Sequence, residues 1–441
     1  MREQWLGLLA VVSLVGCAHR VAKPTDIVDA KPELTQEQNE KDFGAALASF
    51  AGHDARGDWN TDSCRSVADA FTRLGTRGRL DQRGEAFYNA GLSLQRCQQN
   101  EAARRLFEQA LRVEPDMHRA QAQLVLFDYE ASGDRDGAIR RLDDVIRAAR
   151  FQNVEALVNL AALQLDRGIA RHSNDDLDAA RQNLQRALAI DDNYMPALNQ
   201  LALLQLASAR AQAGVASSPG TLVLAGAERP RLSQQQLDMA ALIASQGLRK
   251  NDRYAPLHNT AGLVQVELRD YNQAIRSFKR ARELDPGFFE AHMNYGAVNL
   301  GIRGFAEAER AYRAALKLVP ESYEAHLGLA LALRGQLTPG AEGQRLAEAQ
   351  RHIDQARQLA PQRPEAYYNA AILAQEFRAK SGAEKDSVQE LEAAYCLYGD
   401  FVARAPEGDS EAKQRATDRR QDIVDMLRFM TSDPERQVSC G

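Results

Sequence analysis

Tryptophan is almost missing from this chain, with 2 in 441 residues, and phenylalanine, tyrosine and tryptophan together supply only 6% of it. β-Branched and aromatic runs of the kind that build sheets are correspondingly scarce, which argues against strands. There is no excess of positive charge: 55 basic residues face 60 acidic ones, a net charge of −5. That balance, with no basic run, opposes a nucleic-acid binder, which carries a basic patch or stripe. No apolar run approaches the roughly 17–25 residues of a membrane-spanning helix. No phosphate loop, dinucleotide fingerprint, H-E-x-x-H or G-x-S-x-G sits in a fitting context, so neither catalysis nor a cofactor is expected. Apart from Cys17 and His19, no close Cys/His pair offers a zinc site. What is abundant is alanine, leucine, arginine and glutamine, all good helix formers. A single core rarely grows beyond roughly 250–300 residues, so a chain of this length needs several domains or a solenoid that adds core unit by unit.

The first residues read as a targeting segment. Arg2 precedes an uncharged, mostly apolar run over residues 6–15, too short to span a bilayer and suited to a secretory signal. Leu14, Val15, Gly16 and Cys17 then resemble a bacterial lipobox. The resemblance implies a signal peptide over residues 1–16, cleavage before Cys17, diacylglycerol on its sulfur and acylation of the new amino terminus. Two or more acyl chains are what stable anchoring needs. Ala18 follows, which by the same resemblance implies the periplasmic face of the outer membrane. Residues 17–36 are polar, with Pro24 and Pro32 and no helical period, and read as a flexible tether.

Beyond the tether a period of 34 residues dominates. From Gly84 onward, Phe87, Ala90, Gly91 and Leu94 mark one helix, Ala103, Phe107 and Ala110 a second, and Pro115 its end. The skeleton returns from Ala255 as Ala261, Gly262, Ala274, Phe278, Ala281 and Pro286, and from Phe289 as Tyr295, Gly296, Ala308, Tyr312, Ala315 and Pro320. Looser copies start near His118, Val154, Met195, Tyr323 and Pro364. These residues resemble the tetratricopeptide repeat. The resemblance implies an all-α solenoid, a right-handed superhelix of helix-turn-helix units, with about eight repeats over residues 84–408. Glycine or alanine at the eighth position lets paired helices approach. The aromatic at the twenty-fourth fills the space between repeats, and proline at the thirty-second stops the second helix.

Residues 37–83 read as a degenerate helical cap at one end. Residues 409–441 supply another at the other end, with Ile423, Met426, Leu427 and Met430 along one side of its helix. Insertions at 167–175, 212–233, 336–343 and 377–388 are expected as loops on one edge. Besides Cys17 the chain holds Cys64, Cys97, Cys396 and Cys440, an even number that suggests disulfides in an exported protein. In a stacked solenoid the start of a second helix meets the end of the next first helix. That brings Cys64 to Cys97, and Cys396 to a Cys440 that follows the terminal helix.

In this family the first helices line a concave groove with their second, fifth, ninth and twelfth positions. The ninth reads Leu92, Leu126, Ala162, Leu203, Leu263, Ala297, Leu331 and Ile372, all apolar; the fifth includes Tyr88, Met293 and Tyr368. The lysine–asparagine pair that carboxylate-clamp repeats carry at the fifth and ninth positions is absent. The implied partner is a protein: an amphipathic helix or extended apolar segment. His258, His292 and His326 recur at the fourth position, 34 residues apart. That spacing is too wide for shared metal ligation, because helices pack roughly 8–10 Å apart. A non-catalytic scaffold or adaptor of an envelope machine is the function expected. The chain resembles the adventurous gliding motility repeat lipoproteins of myxobacteria more than pilotins for type IV pilus secretins or adaptors of peptidoglycan enzymes. An enzyme acting on glycan is the competing class, and an apolar groove opposes it.

Overall fold

Short polar residues start the helices of this chain. Asn60 accepts from the backbone N–H of Asp62 and Ser63, and Ser63 returns the bond to the Asn60 backbone as a capping box. Asp134, Asn153, Ser173, Asp270 and Ser322 each cap a later helix through a side-chain oxygen. The computed structural model describes residues 34–56, 58–214, 232–337, 343–381, 384–406 and 408–440. Cys17, with the signal peptide and most of the tether expected from sequence, lies outside them, as do most of the insertions at 212–233 and 336–343. Among the described residues there is no strand, and no helix is long and apolar enough to cross a membrane.

The described residues fall into two compact units that meet in sequence between Leu257 and His258. The first holds α1 (Gln36–Arg56), α2 (Thr61–Arg77), α3 (Arg83–Gln95), α4 (Asn100–Val113), α5 (His118–Ser132), α6 (Arg135–Ala148), α7 (Val154–Arg171), α8 (Asn174–Ile190), α9 (Met195–Gln212) and α10 (Gln234–Lys250). Helix α11 (Ala255–Glu267) begins in it and runs on into the second unit. There follow α12 (Tyr271–Leu284), α13 (Phe289–Gly301), α14 (Phe305–Leu318), α15 (Tyr323–Arg334), α16 (Gly343–Leu359), α17 (Glu365–Leu373), α18 (Ala379–Ser381), α19 (Glu384–Arg404) and α20 (Ser410–Thr431). Within each unit consecutive helices pack on one another, as α3–α4, α7–α8 and α15–α16 do. First helices also touch the next first helix, as in α5–α7, α7–α9, α13–α15 and α15–α17. The fold is an all-α repeat solenoid.

Small residues set the spacing. A methyl group on Gly91 would stand 2.7 Å from the Phe107 ring, and one on Gly262 2.5 Å from Phe278. Tyr312 fills two notches: a methyl would reach it at 2.9 Å from Gly296 in its own repeat and at 2.4 Å from Gly328 in the next. All three rings are fully buried, with alanines enclosed around them. The ring therefore ties a repeat together and also joins it to its successor.

Two expectations fail, each for a physical reason. Residues 167–175 do not form a loop. Helix α7 runs on to Arg171, turns through His172 at φ +53, and α8 starts at Asn174. Arg167 pairs with Asp176 (2.5 Å) and Asp136 (2.8 Å), and Gly168 lets Leu177 pack against the lengthened helix. Insertion here lengthens two helices because the added residues can bury and pair along them. Likewise α17 continues through a π-helical turn over Ala374–Arg378 into α18. The second failure is in α20. Ile423 and Leu427 are buried under α19 as expected, but Met426 points outward beside Phe429, which is 87% exposed.

Cys64 is bonded to Cys97 across α2 and the end of α3, and Cys396 in α19 to Cys440 beyond α20. The loops closed span 33 and 44 residues, for which removal of a native disulfide costs about 2–5 kcal/mol. Reduction, or Cys440→Ser, is expected to lower the unfolding temperature of the chain by several degrees. Peptide mapping without reductant should recover these two linkages; free thiols at all four positions would refute them.

Candidate interaction groove

In the first unit the ninth-position side chains Leu92 and Leu126 are half-buried, whereas Leu203 is enclosed. Tyr88, one turn before Leu92, is 2% exposed and its chemistry is used within the chain. Its hydroxyl donates to Glu155 Oε2 at 2.9 Å, two repeats on, and its ring lies under the Arg119 guanidinium at 4.9 Å. Gln123 donates to the other Glu155 oxygen at 2.6 Å and accepts from Gln95 at 3.2 Å. Burial, reinforced by the Glu155 carboxylate, pushes the Tyr88 phenol far above its ordinary range. Arg119 is paired with Glu85, and Arg96 grips Asp54 through two bonds of 2.8 and 3.0 Å. Tyr194 and Tyr254 are held neutral by burial, Tyr254 being pushed up to about 12. Arg96 acts electrostatically on both phenols.

In the second unit Leu263 is fully enclosed and Met293 is buried, while Leu331, Tyr368 and Ile372 keep part of their surface. The Tyr368 ring rests on Tyr398 (5.5 Å) and Phe401 (5.0 Å). Carboxylates at the second position are again answered from within: Arg363 pairs with Glu324 and Glu365, and the Tyr323 hydroxyl donates to Glu365 at 3.1 Å. The continuous apolar channel expected from sequence is therefore corrected. Tyr88, Leu203, Leu263 and Met293 are covered by neighbouring helices. Leu92 and Leu126 in one unit, and Leu331, Tyr368 and Ile372 in the other, remain partly exposed. Glu155, Gln123, Tyr194 and Tyr254 lie outside the fifth- and ninth-position columns to which the sequence points. The tyrosines standing just before Met195 and Ala255 were the available signal.

The recurrent fourth position has a different use. Where proline ends the preceding helix, this residue donates to the proline carbonyl six residues back. His292 does so to Pro286 at 3.0 Å, His326 to Pro320 at 2.9 Å, Gln121 to Pro115 at 2.8 Å and Tyr367 to Pro361 at 2.9 Å. Three side-chain chemistries satisfy the same carbonyl just past a helix C-terminus. In His292 the Nδ1 atom accepts from Arg282 at 2.8 Å, which leaves the proton on Nε2. In His326 the same assignment makes Nδ1 an acceptor for His352 Nδ1 at 2.8 Å. Among the described residues no group of three His, Cys, Asp or Glu side chains is placed to hold a metal ion.

Burial lowers the pKa of His292 and His326; burial and then the adjacent His326 bring His352 down to about 4. The unfolded chain takes up these protons near 6.5, whereas the fold resists them. Stability from these histidines is thus complete above about pH 6.5 and is lost as pH falls toward 4. His352→Gln is expected to flatten the decline in unfolding free energy between pH 7 and pH 5 by about 1–2 kcal/mol. An undiminished slope in that variant would contradict the assignment.

Tetratricopeptide-repeat family models match residues 84–117, 259–303 and 300–344. Comparison with curated proteins gives no match. Among solved structures, a thermophilic repeat protein of Thermus thermophilus is 25% identical, over 49% of this chain and 99% of that one, with a TM-score of 0.39. Pseudomonas aeruginosa pilF is 18% identical over 59% and 95%, with a TM-score of 0.42. A repeat protein of Parabacteroides merdae is 15% identical over 71% and 98%, with a TM-score of 0.38. The matched segments identify tetratricopeptide repeats at residues 84–117 and 259–344, set within this succession of packed helix pairs.

Proposed function

We propose that this protein is a non-catalytic scaffold, held at the periplasmic face of the outer membrane by lipid on Cys17, that gathers other proteins into an envelope machine. The observation that carries the protein-binding part is the pair of half-buried apolar strips, Leu92 and Leu126 in one unit and Leu331, Tyr368 and Ile372 in the other. Most of their charged neighbours are paired within the chain, so what these faces chiefly offer a visitor is apolar area at about 25 cal/mol per Å². Two disulfides suit an oxidising, exported setting. The lipobox of the sequence supplies the anchor, and general likeness of repeat number and insertions favours the gliding motility apparatus as the machine.

Two measurements test this. Labelled palmitate should enter the protein in cells and fail to enter Cys17→Ser, which should leave the membrane fraction; an unlipidated, soluble parent protein would defeat the anchor. A photo-crosslinking residue at Leu92 or Leu331 should capture a partner protein, and one at exposed Arg105 on α4 should not. Equal capture from all three sites, or none from the first two, would overturn the groove.

A further inference from the structure

We propose that the second unit carries a receptor for a side-chain carboxylate on an otherwise apolar partner segment, gripped by Arg334 at the end of α15. The proposal rests on the protein-binding reading above and names the partner's chemistry. Arg334 is mostly buried, and among the described residues its one hydrogen bond runs from Nη1 to Asn369 Oδ1 at 2.8 Å. It has no carboxylate within ion-pair distance among the described residues. Its counterparts do: Arg96 has Asp54, Arg119 has Glu85, Arg167 has Asp176, and Arg363 has Glu324. Arg282, which also lacks a carboxylate, is occupied by His292 and the Tyr295 ring. A guanidinium largely withdrawn from water favours an anion beside it, because a charge left unpaired there is costly.

Among the described residues the surroundings supply none within ion-pair distance. Arg419 bears on Arg334 as a second cation; it is itself bonded to Gln375 (3.0 Å) and Glu376 (3.1 Å). Lys380 takes the other oxygen of Glu376 at 2.8 Å. Glu376 is thus already shared by Arg419 and Lys380. Tyr368 and Tyr398 complete the set, and Tyr398 donates its proton to Gln375 at 2.9 Å, so it brings no negative charge. Burial presses the Arg334 pKa downward, the sign expected of a cation without its counter-ion.

What flanks the guanidinium decides the rest of the ligand. Leu331 lies three residues before Arg334 on α15, on the same helix face. Tyr368 and Ile372 lie four apart on α17, with Asn369 between them. All three are half-buried. A segment that seats an aliphatic side chain on Leu331 and Ile372 therefore presents a neighbouring glutamate or aspartate to the Arg334 fork, where a bidentate bond is the favoured geometry.

The test is fluorescence anisotropy of the full chain with a labelled Leu-Glu-Ala repeat peptide and its Leu-Gln-Ala counterpart, at low salt. The glutamate peptide should bind at least about tenfold tighter. Arg334→Gln should erase that preference, Arg334→Lys should keep only part of it, and Arg105→Gln should leave it intact. Equal affinity for the two peptides, binding of neither, or a preference that survives Arg334→Gln in a normally folded chain would overturn the proposal. Should Arg334→Gln fail to fold, Arg334→Lys decides, since an undiminished preference there rules out the fork. If both peptides bind equally and Leu331→Glu abolishes both, the carboxylate receptor falls while the protein-binding face stands.

Discussion

The structure depends on how closely two helices can approach. Where Gly91, Gly262 and Gly296 face Phe107, Phe278 and Tyr312, one added carbon would collide with the ring. The glycine carries a conformational cost in a helix interior of about 1 kcal/mol. The fully buried aromatic side chain returns more than that through the area it removes from water. Because Tyr312 also sits against Gly328 of the next repeat, the same ring that closes one helix pair fixes the position of the following one. Local closure and propagation are one contact, which is how a chain of this length builds core without a single large interior.

The face left by that stacking is narrower than a list of apolar columns suggests. Fifth-position side chains other than Tyr368 are drawn into the helix contacts, and Tyr88 spends its hydroxyl on Glu155. Second-position carboxylates meet arginines or phenols from neighbouring repeats. Such neutralisation leaves apolar surface as the main attractive element, with Arg334 as a guanidinium that has no carboxylate beside it among the described residues. Specificity then comes from one unsatisfied guanidinium set in a greasy strip, since a partner lacking the carboxylate leaves it unpaired.

Much of this was legible in the residues. The period of 34, the glycine–aromatic spacing and the prolines were enough for the fold class and for the start of most helices. Side-chain columns were legible only as columns. Nothing in Leu263 or Leu331 separately says that the first is enclosed and the second half-open, because that depends on how far neighbouring helices lean. The stretch at 167–175 looked like a loop by alignment to a fixed period, yet its residues are helix formers with an Arg167–Asp176 pair to hold them. The histidine recurrence was visible, but its role showed only once Gln121 and Tyr367 were seen making the same bond to a proline carbonyl.

The most direct measurement of the central claim is hydrogen exchange on Tyr312→Ala, resolved helix by helix. If this ring both closes its own repeat and holds the next, protection should fall together in α13, α14 and α15 and persist in α3 and α4. Loss confined to α14, or no loss in α15, would show that the ring does not join successive repeats.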